Sequence, residues 1–231
     1  MSIWTRLSNI VGLLQQGSSH VLELLQSMIR AAEEERRSLA FTVAMIALSA
    51  KMAKADGVVT TDEVLAFRDL FDIPEKEERN VARLFNLAQQ DVAGFEAYAT
   101  KLFELFSEDE ATRIDILDGL FHIAKADGIL HRCEDAYLAR IAEIFQIDPV
   151  AYSRIKARHI RSSGSDPYLI LGISADASDD EIRRHYRQEV RQTHPDQLIG
   201  RGVPEEFVKI ASDRLASLNT AYEQICAERG L

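Results

Sequence analysis

The sequence predicts an all-α protein: a helical bundle with an internal duplication, joined by a short linker to a small helical domain built on an antiparallel helix hairpin. Three observations predict it. Only five prolines are spread over 231 residues, so long stretches lack the turn dipeptides that interrupt helices. From about Leu39 to Ile147 apolar residues recur at three- and four-residue spacings in successive segments with short breaks, the period of helices that bury one face. Ala53-Lys-Ala-Asp-Gly57 followed by Glu63 returns as Ala124-Lys-Ala-Asp-Gly128 followed by Glu134, both elements offset by 71 residues, as a duplicated unit would be.

Residues 1–38 read as an N-terminal helical extension. Ile3, Leu7, Ile10, Val11 and Leu14 stand at helical spacing, but the apolar run spans only Ile10 to Leu14, far short of the ~20 residues that cross a bilayer. No long apolar core leads to a small-residue cleavage site, which argues against a signal peptide. The stripe reads as a helix packing on its own domain rather than one lying on a membrane.

Residues 39–160 form the bundle. Each copy of the repeat opens with an apolar helix, Val43 to Ala55 or Ile114 to Ala126, and Gly57 and Gly128 suit the left-handed position just past a helix end. A second helix starts near Thr61 or Arg132. The aspartate before each glycine opposes the helix dipole by ~0.3–1 kcal/mol, so something must compensate. Two accounts fit. Asp56 and Asp127 accept hydrogen bonds from the next helix start, as short acidic side chains do in turns. Alternatively Asp56, Glu63, Asp127 and Glu134 meet and hold a divalent cation, calcium or magnesium by their oxygen donors. The spacing is not that of an EF-hand loop.

The small polar cluster Arg161-Ser-Ser-Gly-Ser165 interrupts the periodic sequence and reads as a linker. The second domain, residues 166–231, begins with a short apolar turn, Asp166-Pro-Tyr-Leu-Ile-Leu-Gly172. Ser178 followed by Asp179, Asp180 and Glu181 supplies a helix cap with acidic residues in the first turn, and the helix should run to about Gln192. Ile182, Tyr186 and Val190 point one way along it, with Arg183, Arg184, Arg187 and Arg191 on the other faces. Pro195 disfavours helical geometry at His194. His194, Pro195 and Asp196 should therefore display an imidazole and a carboxylate on a stiff exposed turn. Phe207, Ile210, Leu215, Leu218 and Tyr222 of a final helix would pack against Ile182 and Tyr186.

Charge and cysteine content narrow the function. A net charge of −10 excludes the broad positive field that nucleic-acid binding requires. Cys133 and Cys226 form no CxxC pair, which leaves no zinc ribbon or disulfide framework and suits a reducing cytoplasm. No nucleophile accompanies His194 and Asp196, and His122, His131 and Asp118 stand at no known catalytic spacing, so an enzyme is not expected.

Two family resemblances arise from these residues. The paired Lys-Ala-Asp-Gly copies, each with its downstream glutamate, resemble the TerB (tellurite-resistance-type) family across roughly residues 39–147. This implies an all-helical domain with an acidic cluster for a divalent cation and a link to envelope or toxic-oxyanion stress. Tyr168-Leu-Ile-Leu-Gly172, Tyr186-Arg187, His194-Pro-Asp196 and Leu218-Asn-Thr-Ala-Tyr-Glu223 resemble a J domain of the DnaJ family from 166 to about 226. The loop 197–204 with a helix from about Glu205 is similar to the J domains of DjlA-like proteins, which pair the two domain types.

The resemblance implies a co-chaperone. Arg183, Arg184, Arg187 and Arg191 would dock on the acidic nucleotide-binding domain and linker of a DnaK-type chaperone, and His194, Pro195 and Asp196 would favour its hydrolysis-competent state. The TerB-like domain would select a client or sense a stress signal, including an envelope-stress partner. Glu189, Thr193 and Gln197 depart from the J-domain pattern, which implies weakened affinity for that chaperone. No glycine/phenylalanine-rich linker, cysteine-rich zinc region or client-binding β domain is evident, and the N-terminal membrane segment of anchored DjlA proteins is missing. The expected location is the cytoplasm, with the periphery of the inner membrane as the other placement. An alternative makes the TerB-like domain a metal-responsive stress sensor with a weak or vestigial J domain.

Overall fold

A computed structural model describes residues 3–16, 21–23, 25, 34–56, 61–71, 73–91, 94–126, 128–160, 166–200, 203 and 208–231, with side chains at 9–10, 13–16, 34–37, 55–56, 61–64 and 69 left aside. The described residues contain helices and no strand. In chain order the helices are α1 (Ile3–Gln16), α2 (Glu34–Asp56), α3 (Thr61–Phe71), a 3-10 turn (Glu75–Glu77), α4 (Glu78–Gln90), α5 (Phe95–Leu105), α6 (Glu110–Ala124), α7 (Arg132–Ile144), α8 (Pro149–His159), α9 (Pro167–Leu171), α10 (Asp179–Gln192), α11 (Pro195–Gly200) and α12 (Val208–Arg229).

Helix α2 is the axis of the bundle. Every side chain from Leu39 to Ala53 is buried, because α1, α4, α5, α6 and α7 all pack around it. A helix apolar on all sides is stable only when so enclosed. Its polar exceptions are each satisfied: Thr42 and Ser49 donate to the carbonyls of Ser38 and Met45, and the Lys51 ammonium donates to the Asp91 carbonyl at 2.6 Å. Tyr137 donates its hydroxyl to the Leu48 carbonyl at 2.7 Å, pinning α7 to α2. The N-terminal stripe packs inward, with Trp4, Leu7 and Val11 buried in the same core as α2.

The second copy follows the expected helix, turn, helix order, and in the first a helix ending at Asp56 is followed by one starting at Thr61. Gly128 has φ +86°, the left-handed conformation that a residue with a Cβ resists. The two second helices begin at Thr61 and Arg132. Gly57 lies outside the described residues.

The C-terminal module is a hairpin of α10 against α12, closed by α9. Asp166 caps α9 by accepting from the Tyr168 amide at 2.9 Å, and Gly172 ends it at φ +79°. Ser178 and Glu181 form a reciprocal capping box on α10. Leu171, Ile182, Leu218 and Ile225 make the buried cluster, and the rings of Tyr186 and Tyr222 stack at 3.9 Å. Arg229 then fastens the end of α12 to the start of the module, donating to the Tyr168 hydroxyl and the Ala177 carbonyl and pairing with Asp179.

Two details differ from the sequence reading. The stretch 197–204, read as a loop, is helical up to Gly200: Pro195 at the first helical position has no amide hydrogen to waste and a preset φ, and Leu198 is buried beneath it. Ile210, expected to face Ile182 and Tyr186, instead joins Leu198, Val203 and Ala211 in the large core shared with the bundle. The start of α12 thus crosses the boundary and packs on α3 and α6. Phe207 lies outside the described residues.

Candidate functional site

Helix α10 carries two opposed faces. At ~100° per residue, Ile182, Tyr186 and Glu189 fall on one side and Arg183, Arg184, Arg187 and Arg191 lie around the other. The four arginines are exposed, whereas Ile182 and Glu189 are buried. Arg183 reaches Asp180 at 3.4 Å with both side chains largely in solvent, a pair that holds the guanidinium only loosely. The four cations form a positive strip in a segment where eight basic side chains face twelve acidic ones.

Thr193 ends α10, its amide donating to the Glu189 carbonyl at 2.9 Å. The chain turns there and Pro195 opens α11. His194 occupies the turn with its side chain 55 % exposed, and Asp196 is 83 % exposed. The Asp196 amide donates to His194 Nδ1 at 3.3 Å. The neutral ring therefore carries its proton on Nε2, which is left as a donor. The Asp196 carboxylate stands 3.5 Å from the same Nδ1. Imidazole, proline and carboxylate are thus presented as one exposed corner at the end of the arginine strip.

The buried face of α10 meets the bundle. Glu189, a carboxylate where the hairpin pattern calls for an apolar residue, accepts from Arg154 Nη2 of α8 at 2.6 Å and has Arg214 of α12 at 4.0 Å. Arg154 also donates to the carbonyls of Ile170 and Leu171, so one guanidinium ties α8 to both α9 and α10. A second junction lies between α6 and α12, where Arg214 pairs with Asp115 at 3.1 Å and His122 with Asp213 at 3.4 Å. Neither Arg154 nor Arg214 was singled out from the sequence. The available signal was Glu189 itself, because a buried carboxylate requires a cation brought from elsewhere in the fold.

The proposed acidic quartet is not assembled by the described residues. Asp127 lies outside them, as do the side chains of Asp56 and Glu63. Glu134 is buried and its carboxylate accepts from the His131 amide at 2.8 Å, capping α7. Among the described residues no group of three or more histidine, cysteine or acidic side chains is placed to hold a metal ion.

A capped helix hairpin with an exposed His-Pro-Asp corner and a basic strip leading to it defines a J-domain protein, here mounted on a duplicated bundle. Comparison with known families agrees: residues 166–229 match the DnaJ domain and residues 42–157 match tellurite resistance protein TerB. The chain belongs to the TerB family and carries a DnaJ domain at its C-terminal end. The chain is similar to several relatives named co-chaperone protein DjlA. That of Photobacterium profundum is 27 % identical over 229 residues, covering 86 % of this chain and 81 % of its own. That of Coxiella burnetii is 28 % identical over 200 residues, covering 78 % and 74 %. That of Shewanella oneidensis reaches 35 % over 121 residues, covering 47 % and 46 %. No solved structure matches.

Proposed function

We propose that this J-domain co-chaperone binds a DnaK-type chaperone and stimulates its ATP hydrolysis. The observation that carries the reading is the division of α10. Its inner face is taken up by the bundle through Glu189, while Arg183, Arg184, Arg187 and Arg191 and the His194-Pro195-Asp196 corner remain open on the outside. A partner can approach that surface without disturbing the junction.

The arginines steer and orient an acidic partner, accelerating encounter more than they add to affinity. His194 and Asp196 then engage the partner with charge-assisted hydrogen bonds, and Pro195 holds them in a fixed relation. No bond is made or broken by these residues. They act by binding one conformation of the partner more tightly than another, which shifts its population toward the form that hydrolyses ATP. The TerB domain supplies the specificity, choosing the client or stress signal, and by holding the hairpin rigidly it sets the direction in which that cargo is delivered. The two free thiols, Cys133 and Cys226, suit a reducing compartment, and no described helix is long and apolar enough to cross a membrane. The thiols favour the cytoplasm, with the periphery of the inner membrane as the other placement.

Steady-state ATP turnover by the cognate DnaK-type chaperone tests the reading. Wild-type protein should raise turnover and His194→Gln should abolish the increase while leaving thermal stability unchanged, because His194 is exposed. Equal turnover with and without the wild-type protein would overturn it.

A further inference from the structure

The helix that carries Pro195 and Asp196 is very short. α11 has six residues, Pro195 to Gly200, whereas an isolated helix is marginal below ~12–15. Packing must therefore hold it. Its one buried side chain is Leu198, 1 % exposed. On the other side of the corner Thr193 is 2 % exposed, so the exposed His194 and Asp196 stand between two buried neighbours.

Leu198 does not belong to the hairpin core. That core is Leu171, Ile182, Leu218 and Ile225, whereas Leu198 lies with Val203, Ile210 and Ala211 in the large core shared with the bundle. The Val203 amide donates to the Leu198 carbonyl at 3.1 Å, closing the chain over the end of α11. α11 packs on α12, and the start of α12 packs in turn on α3 and α6. Two side-chain pairs fasten the same stretch to α6: Arg214 with Asp115 at 3.1 Å and Asp213 with His122 at 3.4 Å. The Asp115 side chain is buried, so its pair with Arg214 is better sheltered from water than an ordinary surface bridge. The route from α6 to the corner is thus continuous: Asp115, Arg214, the start of α12, Leu198, Asp196.

We propose that the bundle positions the His194-Pro195-Asp196 corner, with Leu198 as the positioning residue that transmits the docking of α12 on α3 and α6. The geometry stands by itself; the consequence for a partner rests on the co-chaperone reading. With Leu198 seated, α11 fixes the direction of Asp196 relative to the arginines of α10. With Leu198 unseated, α11 has no other buried side chain to hold it, and the corner samples many orientations. A partner then binds only those molecules whose corner is correctly placed, and apparent affinity falls in proportion to that fraction. The bundle therefore takes part in the exposed site without touching the partner.

Backbone order parameters of the full chain, measured by NMR relaxation, test this together with chaperone ATPase titrations. Amides of His194, Asp196 and Gln197 should lie near the rigid value of ~0.85 in wild type and fall below ~0.6 in Leu198→Ala. Leu198→Met, close in volume, should stay near wild type. Asp115→Asn probes the same link from the bundle side and should also lower order at the corner while Leu218 in the hairpin core stays rigid; it decides the matter should Leu198→Ala fail to fold. Leu84→Ala is the control for lost stability alone, because Leu84 is fully buried in α4, which packs on α1 and α2; its corner should remain ordered. In the titration, the loosened variants should need at least fivefold more protein for half-maximal stimulation, with turnover at saturation unchanged. The order parameters are read without the chaperone, so a wild type that does not stimulate would overturn the co-chaperone reading while they still decide the positioning role. A corner as ordered in Leu198→Ala or Asp115→Asn as in wild type, an equal loss of order in Leu84→Ala, or an unchanged half-maximal concentration in a loosened variant would each overturn the proposal.

Discussion

Arg154 and Glu189 are 35 residues apart in the chain and joined at 2.6 Å across the boundary between bundle and J domain. The pair is largely dry, with side-chain exposures of 19 % and 10 %. It explains why a carboxylate occupies a hairpin position that would otherwise be apolar. The substitution that the J-domain pattern reads as weakening the outer surface is used on the inner one.

Removing one partner of such a pair costs more than removing both. Arg154→Ala leaves Glu189 with only His185 Nε2 at 3.9 Å and Arg214 at 4.0 Å, and should destabilise the protein by about 2–4 kcal/mol, discounted for partial exposure. The double variant Arg154→Met, Glu189→Leu should recover most of that loss. Urea unfolding of Arg154→Met, Glu189→Leu and the double variant measures the coupling, and additive losses would show that the pair does not act as a unit.

Gly172 illustrates a dependence of the same junction on backbone. Its φ of +79° is left-handed, and a Cβ built there would collide with the Arg154 guanidinium. Gly172→Ala therefore meets two penalties: ~1–2 kcal/mol for the left-handed alanine, and displacement of Arg154 from the carbonyls it binds. In an Arg154→Ala background only the first should remain. The cost of Gly172→Ala, read as a shift in urea midpoint, should accordingly be smaller in that background than in wild type.

The local code of this protein was legible in its residues. The helix start at Asp179 followed from its serine cap and acidic first turn, those near Thr61 and Arg132 from the repeat and its glycines, the left-handed Gly128 from its place after a helix, and the exposed His194 corner from Pro195. What could not be read was anything that depends on two distant segments meeting. Ile210 looks like a hairpin residue by periodicity and Leu198 like part of a loop, yet both are buried in the core shared with the bundle, because apolar spacing names a buried face without naming its neighbour. Arg154 and Arg214 look like solvated basic residues until the fold brings Glu189 and Asp115 to them. The acidic quartet joined residues related by the repeat, and the one side chain described, Glu189's counterpart in burial, Glu134, spends its carboxylate on a helix cap.

The arginine strip should act mainly on the rate of partner encounter. Arg187 is exposed on the face opposite Glu189, so Arg187→Glu should leave the unfolding midpoint within ~0.5 kcal/mol of wild type. The concentration of protein needed for half-maximal stimulation of the chaperone ATPase should rise several-fold at low salt. Raising the salt should shrink that difference as the Debye length falls from ~10 Å at 0.1 M to ~3 Å at 1 M. A defect independent of salt would assign Arg187 a contact role rather than a steering one.

Acid should loosen the seam between the domains, and two groups set the direction. Burial alone would raise the Asp118 carboxyl, but the charges of Arg158 and His159 outweigh it and hold Asp118 well below the usual carboxylate range. Burial also pushes His122 below its ordinary value, against the attraction of Asp213 and with His159, Lys125 and Lys209 adding to the decrease. In both cases the folded protein takes up its proton less readily than the unfolded chain, so the stabilisation is present above the unfolded pKa and declines as pH falls toward the folded one. For His122 the decline begins below pH ~6.5, and for Asp118 only below ~4. Urea midpoints should therefore fall between pH 7.5 and 5.5, and the fall should be smaller in His122→Gln, which cannot take up the proton. An equal fall in that variant would place the acid sensitivity elsewhere in the fold.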